Sequence, residues 1–323
     1  MTRTLFNPIN VRTDMAVEAR DIVRGEERRE MPGVKSERAD LPGLRVTRVT
    51  IHTEEASGLL KKPRGLYVTI DVPHFKDRDS ELRDRLTDQL AEELAPILAR
   101  PKAEHILVIG LGNWNATPDA LGPRVVDRLL VTRHLGKVVP EDIRDRIRPV
   151  SAVAPGVLGT TGIETVDIVR GIVREIHPDM VVAIDALAAR GPERLVASVQ
   201  LADSGIHPGS GVGNRRHGLT RETLGVPVVA VGVPTVVQAG SIVNVALGLL
   251  VEALGDDPAF FGIVRQMREP ERRQLVEDVI GPAMGDFMVT PKEIDVLVND
   301  MADVIAEALN RALQPDLDRN EWA

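Results

Sequence analysis

The sequence predicts an α/β fold: a mainly parallel, twisted sheet with helices on both faces, an N-terminal β-hairpin region and C-terminal helices. Three observations predict it. From His105 to Thr235, short continuous apolar runs alternate with amphipathic stretches, the pattern of strands buried on both faces between crossover helices. Gly-rich turns, GLGNWN and APGVLG, stand where two of those runs give way to helix. Of 323 residues, 43% are hydrophobic but only 2% aromatic, so a substantial core must be built from Val, Ile, Leu and Ala.

Taken in order, residues 1–43 are polar, broken by Pro8, Pro32 and Pro42, and carry the charge run RGEERRE; they predict an irregular arm with one short helix near Met15 to Arg24. LRVTRVTIHT (44–53) and GLYVTIDV (65–72) alternate at period two and predict strands, with a turn at Lys61-Lys62-Pro63 between them. Leu82, Leu86, Leu90, Leu94 and Leu98 recur every four residues and predict a helix over Ser80–Ala99. Residues 105–235 form the sheet core. Its strands are HILVIGLG, RPVSAVA, DMVVAIDALA, LVASVQLA and VPVVAVGV, and its helices LGPRVVDRLLVTRHL and GIETVDIVRGIVREI. Residues 240–314 are predicted helical, chiefly in SIVNVALGLLVEAL and PKEIDVLVNDMADVIAEALNRAL. No repeat or low-complexity linker divides the chain, and residues 15–323 are read as a single domain.

Composition narrows the chemistry. Forty-eight acidic residues against 40 Lys and Arg give a net charge of -8, which argues against broad nucleic-acid backbone binding. With no cysteine there is no disulfide, thiolate zinc site or cysteine nucleophile. No apolar run approaches the roughly 20 residues that span a bilayer, so a soluble, cytoplasmic protein with no membrane partner is expected.

GLGNWNATPDALGP (110–123) has the look of a phosphate loop, yet Asn115 stands where the dinucleotide fingerprint needs its third glycine, and Asp119 would repel a phosphate. Walker, G-x-S-x-G and H-E-x-x-H patterns are absent. What stands out instead is a pair of strand-end acids. Asp119 follows HILVIGLG, and Asp185 lies near the end of DMVVAIDALA, where ligands gather in open α/β sheets. Read alone, Asp119 serves equally as a helix-start acid, and Asp185 as a cap for the next helix. Read together, they form a carboxylate pair able to activate water. Three Gly-rich or turn segments border the same face and nominate Asn113, Thr160, His207 and Arg215 as cleft residues; each is equally well read as a local turn, capping or solvated group.

Assembled in order, GLGNWNATPDALGP, VAPGVLGTTGIET, AIDALAAR, SGIHPGSGVGNRR, GVPTVV and MVTPKEID resemble successive blocks of the spore germination endopeptidase family, and VRTDMAVEAR resembles its propeptide junction. The resemblance spans almost the whole chain. It implies a protease that degrades small acid-soluble spore proteins at germination, made as a zymogen in the cytoplasm of the developing spore and assembled as a homotetramer. It implies no cofactor and no direct contact with nucleic acid. The family's two essential aspartates match Asp119 and Asp185, and its fold is similar to that of hydrogenase-maturation proteases. Family cleavage sites place an acid before the cut, then an apolar residue, then Ala. Thr13-Asp14-Met15-Ala16 fits, so self-cleavage between Asp14 and Met15 is expected, with residues 1–14 as the propeptide. No metal is expected. The alternative is a metal-dependent peptidase of the hydrogenase-maturation type, with Asp119, Asp185 and His207 as ligands.

Overall fold

The computed structural model describes residues 15–19, 31–99, 104–207, 218–253, 271, 274–276, 278–279 and 287–317. Among these residues, nine strands form one sheet: β1 (Val34–Leu41), β2 (Leu44–Ile51), β3 (Gly65–Asp71), β4 (Ile106–Gly110), β5 (Val150–Val153), β6 (Met180–Ala189), β7 (Ser198–Ala202), β8 (Val228–Gln238) and β9 (Met288–Val289). They lie in the order β1-β2-β3-β7-β8-β6-β4-β5, with β9 on the far end of β8. The expected parallel sheet is the part formed by β5, β4, β6 and β8. An antiparallel wing, β7, β3, β2 and β1, extends it. β8 is the seam, parallel to β6 on one side and antiparallel to β7 on the other.

Burial follows the sequence texture. All five residues of β4 (ILVIG) are buried, because helices cover both faces of the parallel part. On one face α2 (Ser80–Leu98), α3 (Leu121–Val126) and α6 (Ile294–Leu313) pack over Ile106, Val108, Val182, Ile184, Val229 and Val231. On the other, α4 (Thr165–Ile176) sets Val166, Val169 and Val173 against Leu107, Ile109, Val181 and Ala183. Residues 15–19 and α1 (Glu54–Leu60) cover the antiparallel wing on that second face, where Ala16, Ala56 and Leu60 meet Ile51, Tyr67, Ala202 and Ala230. α5 (Ala239–Ala253) leaves the end of β8.

The leucine ladder of α2 points inward as its spacing requires. Asp79 caps the helix by accepting the Glu81 N–H at 3.0 Å, and Leu86, Leu90 and Leu94 are fully buried. Leu90→Ala is therefore expected to cost about 2–5 kcal/mol of unfolding free energy, read from urea denaturation.

Two expectations are corrected. The arm read as irregular through residue 43 contains β1, whose sequence VKSERADL has no apolar alternation because it is a largely exposed edge strand. A two-residue Pro42-Gly43 turn, with Gly43 at φ 76°, holds it against β2. The helix predicted from Leu121 through Leu135 stops at Val126. Beyond it the Leu130 N–H donates to Asn310 Oδ1 of α6 at 2.9 Å, and the Thr132 N–H to the Val150 carbonyl of β5 at 3.1 Å. These partners in the tertiary structure replace the helical ones.

Candidate active site at the ends of the central strands

Asp185 sits in β6, buried to 5% exposure, on the α4 face of the sheet. Its register partner in β8 is Gly232, and Gly232 in turn pairs with Gln200 of β7. On the other flank, Gly110 of β4 pairs with Ile184, and the next residue, Leu111, donates its N–H to the Ile184 carbonyl at 2.8 Å. The chain leaving β4 therefore begins beside Asp185. The Asp185 carboxylate takes the following N–H, that of Ala186, at 2.9 Å. A register shift between Leu187 and Ala188 bends the ladder just beyond it.

Asp119 is carried by a folded-back loop that leaves the end of β4. Gly112, at φ 114°, turns the chain so tightly that a Cβ there would lie 1.9 Å from the Asp119 carbonyl oxygen. At the loop's base, a Cβ on Gly122 would lie 2.3 Å from the Leu111 carbonyl, so α3 can start only against a glycine. The turn Thr117–Asp119 packs against β6, β8 and α6. Asp119 Oδ2 accepts the Asn113 N–H at 2.8 Å, and its own N–H donates to the Ala116 carbonyl at 2.7 Å. The loop thus delivers Asp119 onto the strand that carries Asp185. Trp114, 51% exposed at the rim, lies beneath the Arg124 guanidinium at 5.8 Å.

The other candidates divide. Asn113 is part of the loop's own scaffold: its N–H holds Asp119, and its Oδ1 accepts the Asn115 N–H at 3.0 Å. Thr160 Oγ1 donates to the Val157 carbonyl at 2.9 Å and accepts the Val157 N–H at 3.3 Å, capping its own helical turn. His207 follows the Ile206–Leu219 bridge and lines a cavity of about 440 Å³ whose wall includes Gly232. Partial burial, and then the Lys62 charge, lower its pKa below the usual imidazole value. Arg215 and Asp14 lie outside the described residues. Met15 is fully buried against Leu187 and Ile206.

Several groups around the site were not singled out in the sequence. Gln200 accepts the Ala16 N–H through Oε1 at 2.6 Å. Glu18 is buried and accepts the Arg190 N–H at 3.1 Å, with Arg194 Nε 3.4 Å from its other oxygen. Arg194 Nη1 also bonds Asp71 Oδ1 at 2.5 Å, and Ser198 Oγ donates to that oxygen at 2.6 Å. The available signal was a polar residue inside an apolar strand, as with Gln200 in SVQLA and Asp71 in GLYVTID. Among the described residues, no group of three or more His, Asp or Glu side chains is placed to hold a metal ion. No helix among them is long and apolar enough to cross a membrane.

The family described as germination protease matches residues 11–259 and 254–323. A germination protease of Caldanaerobacter subterraneus subsp. tengcongensis is 45% identical over 317 residues, covering 97% of each chain. One from Clostridium perfringens (strain 13 / Type A) is 45% identical over 313 residues, 95% of this chain and 96% of its own. Among solved structures, a NiFe hydrogenase maturation protease from Thermococcus kodakarensis KOD1 aligns with 67% of this chain and 98% of its own, at 19% identity and a TM-score of 0.33. On the family match and on near full-length identity to its members, the chain belongs to the germination protease family, and it is an endopeptidase of spore germination.

Proposed function

We propose that this endopeptidase is of the aspartic type, with Asp119 and Asp185 as the catalytic pair, and that it cleaves small acid-soluble spore proteins after maturing from a zymogen by cutting its own Asp14–Met15 bond. The observation that carries the reading is the folded-back loop that packs the Asp119 turn against β6, the strand in which Asp185 lies. Two neighbouring carboxyls hold one proton between them, and that proton belongs to the pair. The ionised member takes a proton from water as the hydroxide adds to the scissile carbonyl carbon, while the neutral member donates its proton to the carbonyl oxygen. Collapse of the tetrahedral intermediate breaks the C–N bond. The proton held by the base passes to the leaving nitrogen, and the hydroxyl proton returns to the pair.

The reading extends to the whole particle: a homotetramer in the cytoplasm of the developing spore, acting without metal and without touching nucleic acid. The test is incubation of the full chain with a purified small acid-soluble spore protein, with and without chelator, followed by N-terminal sequencing of the enzyme. Cleavage that is unchanged by chelator, with a new enzyme terminus at Met15, is the expected result. Chelator-sensitive cleavage, or a terminus elsewhere, overturns the corresponding part.

A further inference from the structure

The loop that carries Asp119 is tied to the rest of the fold at Trp114. This is one of two tryptophans in a chain with 2% aromatic residues, and it stands 51% exposed on the loop rather than in the core. Full burial of so large a ring would stabilise the fold more, so its position calls for a reason. The Arg124 guanidinium lies over the ring, 5.8 Å from its centroid. Arg124 rises from α3, and its Nη1 donates to Asn299 Oδ1 of α6. The same oxygen takes Nη2 of Arg128 at 3.1 Å.

The two arginines differ in how their charge is met. Arg128 pairs with Asp303, whereas no carboxylate among the described residues pairs with Arg124. Arg124 Nε is also buried without a hydrogen-bond partner among them. What this half-buried guanidinium has is an amide oxygen and the face of an indole. Those partners fix its place without offering it the charge of an acid.

Trp114 belongs to a closed turn. The Ala116 N–H donates to the Asn113 carbonyl at 3.0 Å, and the Asn115 N–H to Asn113 Oδ1 at 3.0 Å. The Asn113 N–H in turn is the one that Asp119 Oδ2 accepts, at 2.8 Å. Rotating the turn would swing that N–H off the carboxylate. On the β4 side the turn hangs from Gly112, at φ 114°, the residue type whose backbone resists rotation least. Through Trp114, Arg124 and Asn299 it is tied instead to α6, a 20-residue helix packed into the core.

We propose that Arg124 and Trp114 are positioning residues for the peptidase reaction, holding the Asn113–Ala116 turn in the orientation that aims the Asn113 N–H at Asp119. The proposal rests on the reading of Asp119 as a catalytic acid and adds to it the two side chains that keep its carboxylate in place. On this assignment neither touches the reacting atoms. Their loss therefore falls on the chemical step and not on substrate binding.

Steady-state kinetics of the full chain on a purified small acid-soluble spore protein tests this. Trp114→Ala and Arg124→Met are each expected to lower kcat about tenfold, with KM within about twofold of the parent. The double variant is expected to fall no further than the slower single one, because the two act through one contact. Trp114→Phe keeps an aromatic face under the cation and is expected to recover most of the rate. Trp114→Leu keeps apolar bulk without a ring and is expected to be as slow as Trp114→Ala. Urea unfolding establishes that each variant is folded, and the Phe and Leu pair carries the test if the Ala variant is not. A rise in KM with kcat unchanged puts Trp114 on the substrate and overturns the proposal. So does full activity in either single variant, a loss that multiplies in the double one, or a Leu variant as fast as the Phe variant. Asp119→Asn is measured in parallel. Its full activity removes the reading of Asp119 whatever the other variants do, whereas its inactivity beside a fully active Trp114→Ala removes the positioning role alone.

Discussion

Asp119→Asn and Asp185→Asn are each expected to lower kcat/KM for a small acid-soluble spore protein by at least about a hundredfold, with the fold intact. The substitution is nearly isosteric and keeps an oxygen for the main-chain N–H that each carboxylate now receives, from Asn113 at 2.8 Å and from Ala186 at 2.9 Å. What it removes is the ability to exchange a proton, so the loss should fall on kcat more than on KM. On the proposed pair mechanism, in which the two share one proton, the double variant should be scarcely worse than either single one. Steady-state kinetics on the three variants, with circular dichroism as the folding control, gives the answer. Full activity in either single variant removes that residue from the pair.

Arg194→Met is expected to have the largest effect on stability, about 3–5 kcal/mol. Arg194 lies between two buried carboxylates, Asp71 of β3 and Glu18 of the N-terminal segment, bonding the first at 2.5 Å and approaching the second at 3.4 Å. Removing the cation leaves both acids buried without its charge. Urea unfolding at neutral pH measures this. Glu18→Gln in the Arg194→Met background should recover part of the loss, since one fewer buried charge then lacks the Arg194 cation. If Arg194→Met unfolds at the same urea concentration as the parent at neutral pH, the network is not what holds residues 15–19 down.

What could be read in advance follows from what each residue interacts with. β4 and β6 were legible because their side chains are buried on both faces, and an apolar run of strand length has few other uses. Asp185 stands out in the sequence as a charge inside such a run, and Asp119 as the one acid in the Gly-rich loop that follows β4. β1 was not legible, because an edge strand of charged residues is specified by its neighbour β2 and by the Pro42-Gly43 turn. The early end of α3 was not, because the apolar period runs on past Val126 while the bonds that stop the helix come from Asn310 and Val150. Gln200 was not legible for a related reason. It lies across Gly232 from Asp185 because β8 runs between β6 and β7, and strand order is not written in local periodicity.

That placement of β8 also orders events during synthesis. Asp119, Asp185 and Gln200 leave the ribosome before residues 228–238 do. Until β8 is made, the antiparallel wing and the β5-β4-β6 ribbon have no strand between them, and the cavity lacks the Gly232 part of its wall. A chain able to cut proteins is thereby born in two halves, and its last central strand is the clasp that closes the site.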